Sequence, residues 1–332
     1  MLETFRFFLP SLIISAIALG AIFVYGGLTA FIIAVLLSIL EVTLSFDNAV
    51  INARVLNRMS PVWQRRFLTW GILIAVFGTR LVLPILIVSL IVWVSPIAIT
   101  KLALFHAEEY AHLLENARYA INSFGAIFLI MVSLKYFMDE SKDKHWLRVI
   151  ERHLAKWGRI ESIEIAIALT LLAGISFLVP DEVAATVLIS GIIGLILFLI
   201  MQGITSSFSI TTTVAASGLA LFIYLNILDS AFSLDSVVGA FALSTSIPII
   251  AVGLGIGAYF VRSITVFLVQ KKALDSIIYL EHGAHWAVFG LAISMLAGLL
   301  VEVPEIITGG IGLLFVVAAY YSSAAIRGQK ES

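Results

Sequence analysis

Long apolar runs separated by short polar breaks dominate the chain. Read as helices, they give ten spans, at about 7–25, 28–56, 67–95, 119–138, 162–180, 183–203, 214–240, 247–270, 284–302 and 305–325. A helix needs roughly 20 apolar residues to cross about 30 Å of hydrocarbon. Most runs reach that length, and the one at 162–180 is the shortest in apolar residues. Only Gly26-Gly27 parts the first two spans. No Asp, Glu, Lys, Arg or His occurs from Phe7 to Leu40 or from Val183 to Leu228, so each stretch holds most of two spans. The pattern predicts an all-α polytopic membrane protein. Ala16-Ile17-Ala18 looks like a signal-peptide cleavage tripeptide. The apolar run continues through it, which reads as a retained first helix.

Composition sharpens this picture. The chain of 332 residues is 61% hydrophobic and 12% charged, where a soluble domain carries about 25% charged residues. A net charge of −1 with no rich basic patch gives no ground for a nucleic-acid partner. The absence of cysteine excludes disulfides, thiolate metal sites and a cysteine nucleophile.

The remaining charges fall unevenly between the spans. Arg58, Arg65, Arg66, the run from Lys142 to Arg159, Lys271, Lys272, Arg327 and Lys330 all fall on one side if there are ten spans. Glu108, Glu109, Glu115, Asp181, Glu182, Glu302 and Glu305 fall on the other. The positive-inside rule then places both termini in the cytoplasm. The implied organisation is a first transmembrane repeat (1–138), a basic cytoplasmic linker (139–161), a linking helix (162–182), a second repeat (183–302), and a final helix with its tail (303–332).

Two motifs support the repeat. Glu41-x-x-x-Ser45-x-Asp47-Asn48-x-Val50 recurs as Asp229-x-x-x-Ser233-x-Asp235-Ser236-x-Val238, 188 residues later. Each is followed by a span with one arginine at equal spacing, Gly71 to Arg80 and Gly253 to Arg262. Glu108-x-x-Ala111-His112 is likewise matched by Glu281-x-x-Ala284-His285. The motif helices are five spans apart, so they are expected to run in opposite directions, as in inverted-repeat secondary transporters.

Ionised groups at bilayer depth are costly unless paired or hydrated. Glu41, Asp47, Asp229 and Asp235 with Arg80 and Arg262 sum to −2 when all are charged, which one divalent cation or protonation would offset. Carboxylates, hydroxyls and an amide oxygen make a hard-oxygen site suited to Mn²⁺, Mg²⁺ or Ca²⁺. In a continuous helix Glu41, Ser45 and Asn48 share one face and Asp47 lies about 120° away. Either the helix breaks near Ser-x-Asp or the two acids serve different partners; no Gly or Pro signals a break. The plainer alternatives are structural pairing of the acids with Arg80 and Arg262 as counter-ions, serines bonded back to helix carbonyls, and solvated Glu–His pairs. The Gly253-x-Gly255-x-Gly257 run reads as close helix packing. An intramembrane aspartyl dyad of Asp47 and Asp235 lacks the Tyr-Asp and Gly-x-Gly-Asp signatures, and no other enzyme motif is present.

The paired motifs and the arginine spans behind them resemble the TerC family of integral membrane proteins, over nearly the whole chain. The likeness is closest to a long branch that carries only an unknown-function label. The resemblance implies a bacterial inner-membrane protein related to amino-acid and cation exporters, with links to manganese export and tellurite resistance. It implies that Glu41, Asp47, Asp229 and Asp235 act as metal ligands or proton carriers, assisted by Asn48, Ser45, Ser233 and Ser236. The second motif departs from that pattern, opening with Asp229 and ending in Ser236. The expected function is therefore a divalent-cation transporter, a Mn²⁺ exporter first, with no organic cofactor. Its partners would be lipid, the cation, protons and further copies of itself. A non-transporting scaffold of a metal or tellurite stress complex, docking through the basic linker, is the alternative.

Overall fold

The computed structural model describes the backbone of residues 2–140, 142, 144–211, 214–271 and 277–331. Every regular element among them is helical. In chain order these are α1 (Leu2–Leu44), α2 (Phe46–Leu56), α3 (Pro61–Leu73), a π-helical segment (Ile74–Val82), α4 (Leu83–Val92), α5 (Pro96–Phe105), α6 (Ala107–Asn116) and α7 (Arg118–Phe137). There follow α8 (Arg148–Trp157), α9 (Ile163–Ser176), α10 (Asp181–Thr211), α11 (Val214–Leu243), α12 (Ile247–Gln270), α13 (Leu280–Ala297) and α14 (Glu305–Glu331).

Six stretches are long and apolar enough to cross a membrane: Phe8–Leu44, Arg118–Phe137, Asp181–Ile204, Gly218–Phe241, Ile247–Gln270 and Ile307–Ile326. A pair bent by 117°, Gly78–Val92 with Pro96–Phe105, makes a seventh. The chain is an all-α membrane protein. The span read at 67–95 is divided among α3, the π-helical segment and α4. At 162–180 the helix has 14 residues, too short for a straight crossing. At 284–302 the helix begins earlier, at Leu280, and takes Glu281, His282 and His285 into its first turns.

α1 is folded back on itself. Gly27 has φ 72° and ψ −170°, a left-sided conformation that glycine adopts without steric cost. Before it, the Phe8 ring lies tilted against that of Phe267 with centroids 5.9 Å apart, and Ser11 Oγ lies 2.6 Å from Ser263 Oγ. After it, Ser38 Oγ donates to the Gly253 carbonyl at 3.0 Å, and Gly257 lies against Glu41. The first arm thus runs antiparallel to α12 and the second runs parallel to it. Gly26-Gly27 is the turn between them.

The chain divides into two compact units, each drawn from separate stretches. Unit 1 is Met1–Arg118 with Val214–Lys271; unit 2 is Tyr119–Thr213 with Lys272–Ser332. The divisions at 138, 161, 182 and 302 read from the sequence are not the boundaries of these units. In unit 1 the second arm of α1 packs on α12 at glycine distance. A Cβ on Gly253 would sit 2.6 Å from the Leu37 Cβ, and one on Gly257 would collide with the Glu41 side chain. Small residues at i and i+4 let two helix backbones approach closely where no water drives association.

Unit 2 is built round α7, which is buried along most of its length. Ser123 Oγ donates to the Val187 carbonyl at 2.6 Å, tying α7 to α10. Phe128 meets Phe198 edge-on, with centroids 6.0 Å apart. α13 packs on α14, where Gly283 leaves room for Phe315 and Ala319.

Gly257→Leu is expected to destabilise the protein by about 1–3 kcal/mol or more, since overpacking a close helix contact forces a backbone shift. Gly20→Ala, where a Cβ meets nothing within 4 Å, is expected to be neutral or to stabilise by about 0.5–1 kcal/mol through lost chain entropy. Unfolding midpoints in detergent distinguish the two.

Candidate functional site: buried polar clusters in each unit

The first motif folds around Glu41, whose side chain is 0% exposed. Ser45, one turn later, donates its hydroxyl to Glu41 Oε1 at 2.9 Å. Arg80 Nη2 pairs with the same oxygen. Arg80 comes from the π-helical segment Ile74–Val82. The wider turn of a π-helix shifts side-chain register, and such segments concentrate at functional sites.

The helix breaks within this motif, which neither Gly nor Pro announced. Ser45 has φ −104° and ψ 14°, ending α1 and capping the start of α2. Asp47 then lies in the first turn of α2 and accepts the Asn48 backbone N–H at 2.8 Å. A carboxylate there meets free amides and the positive end of the helix dipole. At the break the side chain of Ser45 serves Glu41, and that of Asp47 serves the Asn48 amide of the new helix start. Glu41 and Asp47 have different partners. The second motif lacks this break, because α11 runs unbroken from Val214 to Leu243.

Asp229 of α11 accepts the Asn52 Nδ2 donor at 2.6 Å. Asn48 also bonds it, and the charges of Arg80 and Arg262 reach it. Leu56, one turn beyond Asn52, shares an apolar cluster with Leu225, one turn before Asp229. α2 and α11 are therefore antiparallel. Ser236 Oγ bonds back to the Ser233 carbonyl at 3.0 Å, as a helix serine without another partner does. The side chain of Asp235 lies outside the described residues, as do those of Lys272, Glu305, Arg327 and Lys330. Arg262 lies over the Phe67 ring, 4.5 Å from its centroid.

Among the described residues, several buried atoms of this cluster have no hydrogen-bond partner: Glu41 Oε2, Asn48 Oδ1, Asn52 Oδ1 and Ser233 Oγ, with Arg262 Nε and Nη2. Unsatisfied buried polar atoms are few in native proteins, and each asks for an explanation. Among the described residues no three Asp, Glu or His side chains come close enough to hold a metal ion. Any cation bound here would meet one or two carboxylates with amide and hydroxyl oxygens. Asn52 escaped the sequence reading, although its signal was available as a second amide one helical turn after Asn48.

The two Glu–His pairs have different surroundings. Glu108 and His112 are exposed and, with Glu115 and Thr245, line an open cavity of ≈ 280 Å³ in unit 1. In unit 2 His285 is buried and stacks on Tyr136, with centroids 3.5 Å apart.

A second buried carboxylate, Glu151 of α8, was not foreseen. It is 1% exposed. It accepts the Trp146 and Leu147 backbone N–H groups at 2.9 and 3.3 Å, the Trp286 indole N–H at 2.9 Å, and faces His282 Nδ1 at 2.9 Å. Burial pushes its carboxyl up, but the hydrogen bonds from His282 and Trp286, the His282 charge and the Leu147 amide outweigh that and hold it down at about 2. Within the basic linker it read as one acid among many cations, and no spacing rule connects it to residues 131 and 135 positions away.

Arg80→Met is expected to cost about 3–5 kcal/mol, because it leaves Glu41 buried without its counter-charge. The double variant Glu41→Leu/Arg80→Met is expected to lose less than either single variant, as read by denaturant unfolding. Glu151 contributes stability that is complete above its ordinary value of 4.5 and is lost as the pH falls towards about 2. Thermal midpoints of wild type should drop across that window, while Glu151→Gln should be lower at neutral pH and show a smaller drop.

No curated protein and no solved structure matches the chain. A family model matches residues 46–330, taking in both motifs from Phe46 onward, both arginine spans and the Glu151 node. The chain belongs to the family described as Protein of unknown function (DUF475).

Proposed function

We propose that this protein transports divalent metal cations, Mn²⁺ first, and exports them from the cell. The observation that carries the reading is the set of buried oxygens in unit 1 that lack a partner among the described residues: Glu41 Oε2, Asn48 Oδ1, Asn52 Oδ1 and Ser233 Oγ. Hard oxygen atoms held in a dry site without donors suit a hard cation. Asp229 and Asp47 supply negative charge beside them, and Asp235 is the further acid that the second motif's sequence offers. Ser45 and Arg80 position Glu41, Ser236 lies beside the site as a further hydroxyl, and Arg262 balances Asp229.

In this reading the chain crosses the membrane ten times: the two arms of α1 count separately, and the bent pair, α13 and the apolar stretch from α9 to Val179 count beside the other long helices. The antiparallel course of α2 and α11 supports an inverted repeat. So does the make-up of each unit, which combines an early and a late stretch of the chain. Alternating exposure of the midplane site then moves the ion, and a carboxylate takes up a proton as the metal leaves. The resemblance to TerC proteins favours Mn²⁺, a bacterial inner membrane and cytoplasmic termini.

Mn²⁺ is expected to raise the unfolding temperature of the detergent-solubilised protein. At a hundredfold excess over its Kd, binding to the folded state alone is worth about 2.7 kcal/mol. Asp47→Asn and Asp235→Asn are expected to abolish that shift and Mn²⁺ flux in proteoliposomes. No shift with Mn²⁺, Mg²⁺ or Ca²⁺ would sink the proposal and favour the non-transporting scaffold.

A further inference from the structure

α8 carries three separate faces. At about 100° per residue, Glu151, Leu154, Ala155 and Gly158 fall together and face inward. Glu151 is fixed by Trp286 and His282, Leu154 and Ala155 are half-buried, and Gly158 lies so close to the Met138 carbonyl that a Cβ would collide with it. Arg148, Arg152, Lys156 and Arg159 form a second face, and all are exposed. Arg159 Nε lies 3.5 Å from Glu140 Oε2. The other three make no ion pair among the described residues. The third face is mostly apolar and open to the outside: Val149 is 75% exposed, Trp157 52% and Ile160, just past the helix end, 56%, with the exposed His153 between them, its Nδ1 2.6 Å from the Val149 carbonyl oxygen. By the helical period its centre is turned roughly 150° from the inward face, so the fixed side of α8 holds the apolar side outward.

A short helix with a tryptophan and β-branched residues beside a basic stripe has the make-up of an interfacial helix. Its place in the chain agrees, since it is tethered between the apolar helices α7 and α9. The one acid within α8, Glu151, is turned inward, so the outer surface of the helix offers cations and apolar groups, with His153 as its one further polar side chain. A water-exposed surface would leave that apolar face unburied. An anionic bilayer surface satisfies both faces at once, phosphates against the arginines and acyl chains against Val149, Trp157 and Ile160. We propose that α8 is a membrane-surface element that binds the headgroups of anionic lipids, and that Glu151 is the pin that orients it.

The chain has no cysteine, so single spin labels can be placed without other changes. Val149→Cys, Trp157→Cys and Arg152→Cys, each labelled in the full protein, would be reconstituted into vesicles of phosphatidylcholine alone and of phosphatidylcholine with phosphatidylglycerol. Each variant would first be checked for a wild-type unfolding midpoint. In the phosphatidylglycerol vesicles, labels at 149 and 157 are expected to lose access to a water-soluble nickel chelate and gain access to oxygen, while the label at 152 keeps the chelate. Adding Arg148→Gln and Lys156→Gln is expected to reverse the loss at 157. Chelate access at 149 and 157 that is equal to that at 152 in both vesicles would overturn the proposal and leave this face to a protein partner. Immersion that is the same with and without phosphatidylglycerol would overturn the recognition of anionic lipid.

Discussion

A carboxylate with no exposure to water must be given its partners by the fold, and Glu41 is such a group. Much of unit 1 follows from housing it. Gly257 has no side chain because the Glu41 methylenes occupy that space. Ser45 leaves the helical conformation while donating to the same carboxylate. The π-helical segment between α3 and α4 presents Arg80, and the pair this makes is worth less than its Coulomb energy suggests, since both ions lose their hydration. The strongest effect of the pair is therefore on uniqueness: with Glu41 ionised, a packing that separates the two charges is far less stable than one that joins them.

The asymmetry between the motifs is informative in the same terms. The first has a break, an ion pair and a carboxylate on a helix start. The second lies in an uninterrupted helix, with Asp229 held by two amides that both come from the first motif's helix. The sequence-level likeness of the two motifs thus conceals different chemistry. One binds its own acid; the other lends its acid to its counterpart. Ser233 differs from Ser45 accordingly, since its hydroxyl has no partner among the described residues where Ser45 has Glu41.

Membrane class, helical content, the turn at Gly26-Gly27 and the tight Gly253/Gly257 contact were legible in the sequence, because each follows from composition or from glycine's lack of a side chain. The acids and arginines of the site were legible as charges out of place in apolar runs. What was not legible came from competition and distance. The break at Ser45 coincides with its bond to the Glu41 carboxylate and the bond of Asp47 to the Asn48 amide, and no residue type there forces a break. The bent pair after Arg80 and the short α9 reflect how helices are cut, which a window of hydropathy does not resolve. Glu151 hid among cations, since nothing in its neighbourhood told that it points inward to α13. Asn52 repeats the amide of Asn48 one turn later, but near a span's end that spacing reads equally as solvent-facing polarity.

The discontinuous make-up of the units sets the order in which the molecule can be completed during synthesis. Glu41 and Arg80 are 39 residues apart and can meet early. Asp229 lies 177 residues from Asn52, so the amides of α2 wait through the making of all of α3 to α10 before their acceptor exists. For the same interval the second arm of α1 lacks the α12 glycines on which it finally rests. Nascent unit 1 is thus an unfinished bundle with a buried-type acid on it, and the Glu41–Arg80 pair is the contact that can shield that acid from lipid until the late helices arrive. The partners that Glu41 and Asp229 end with reflect this timing: the early acid bonds within its own stretch of chain, and the late acid is received by amides already in place.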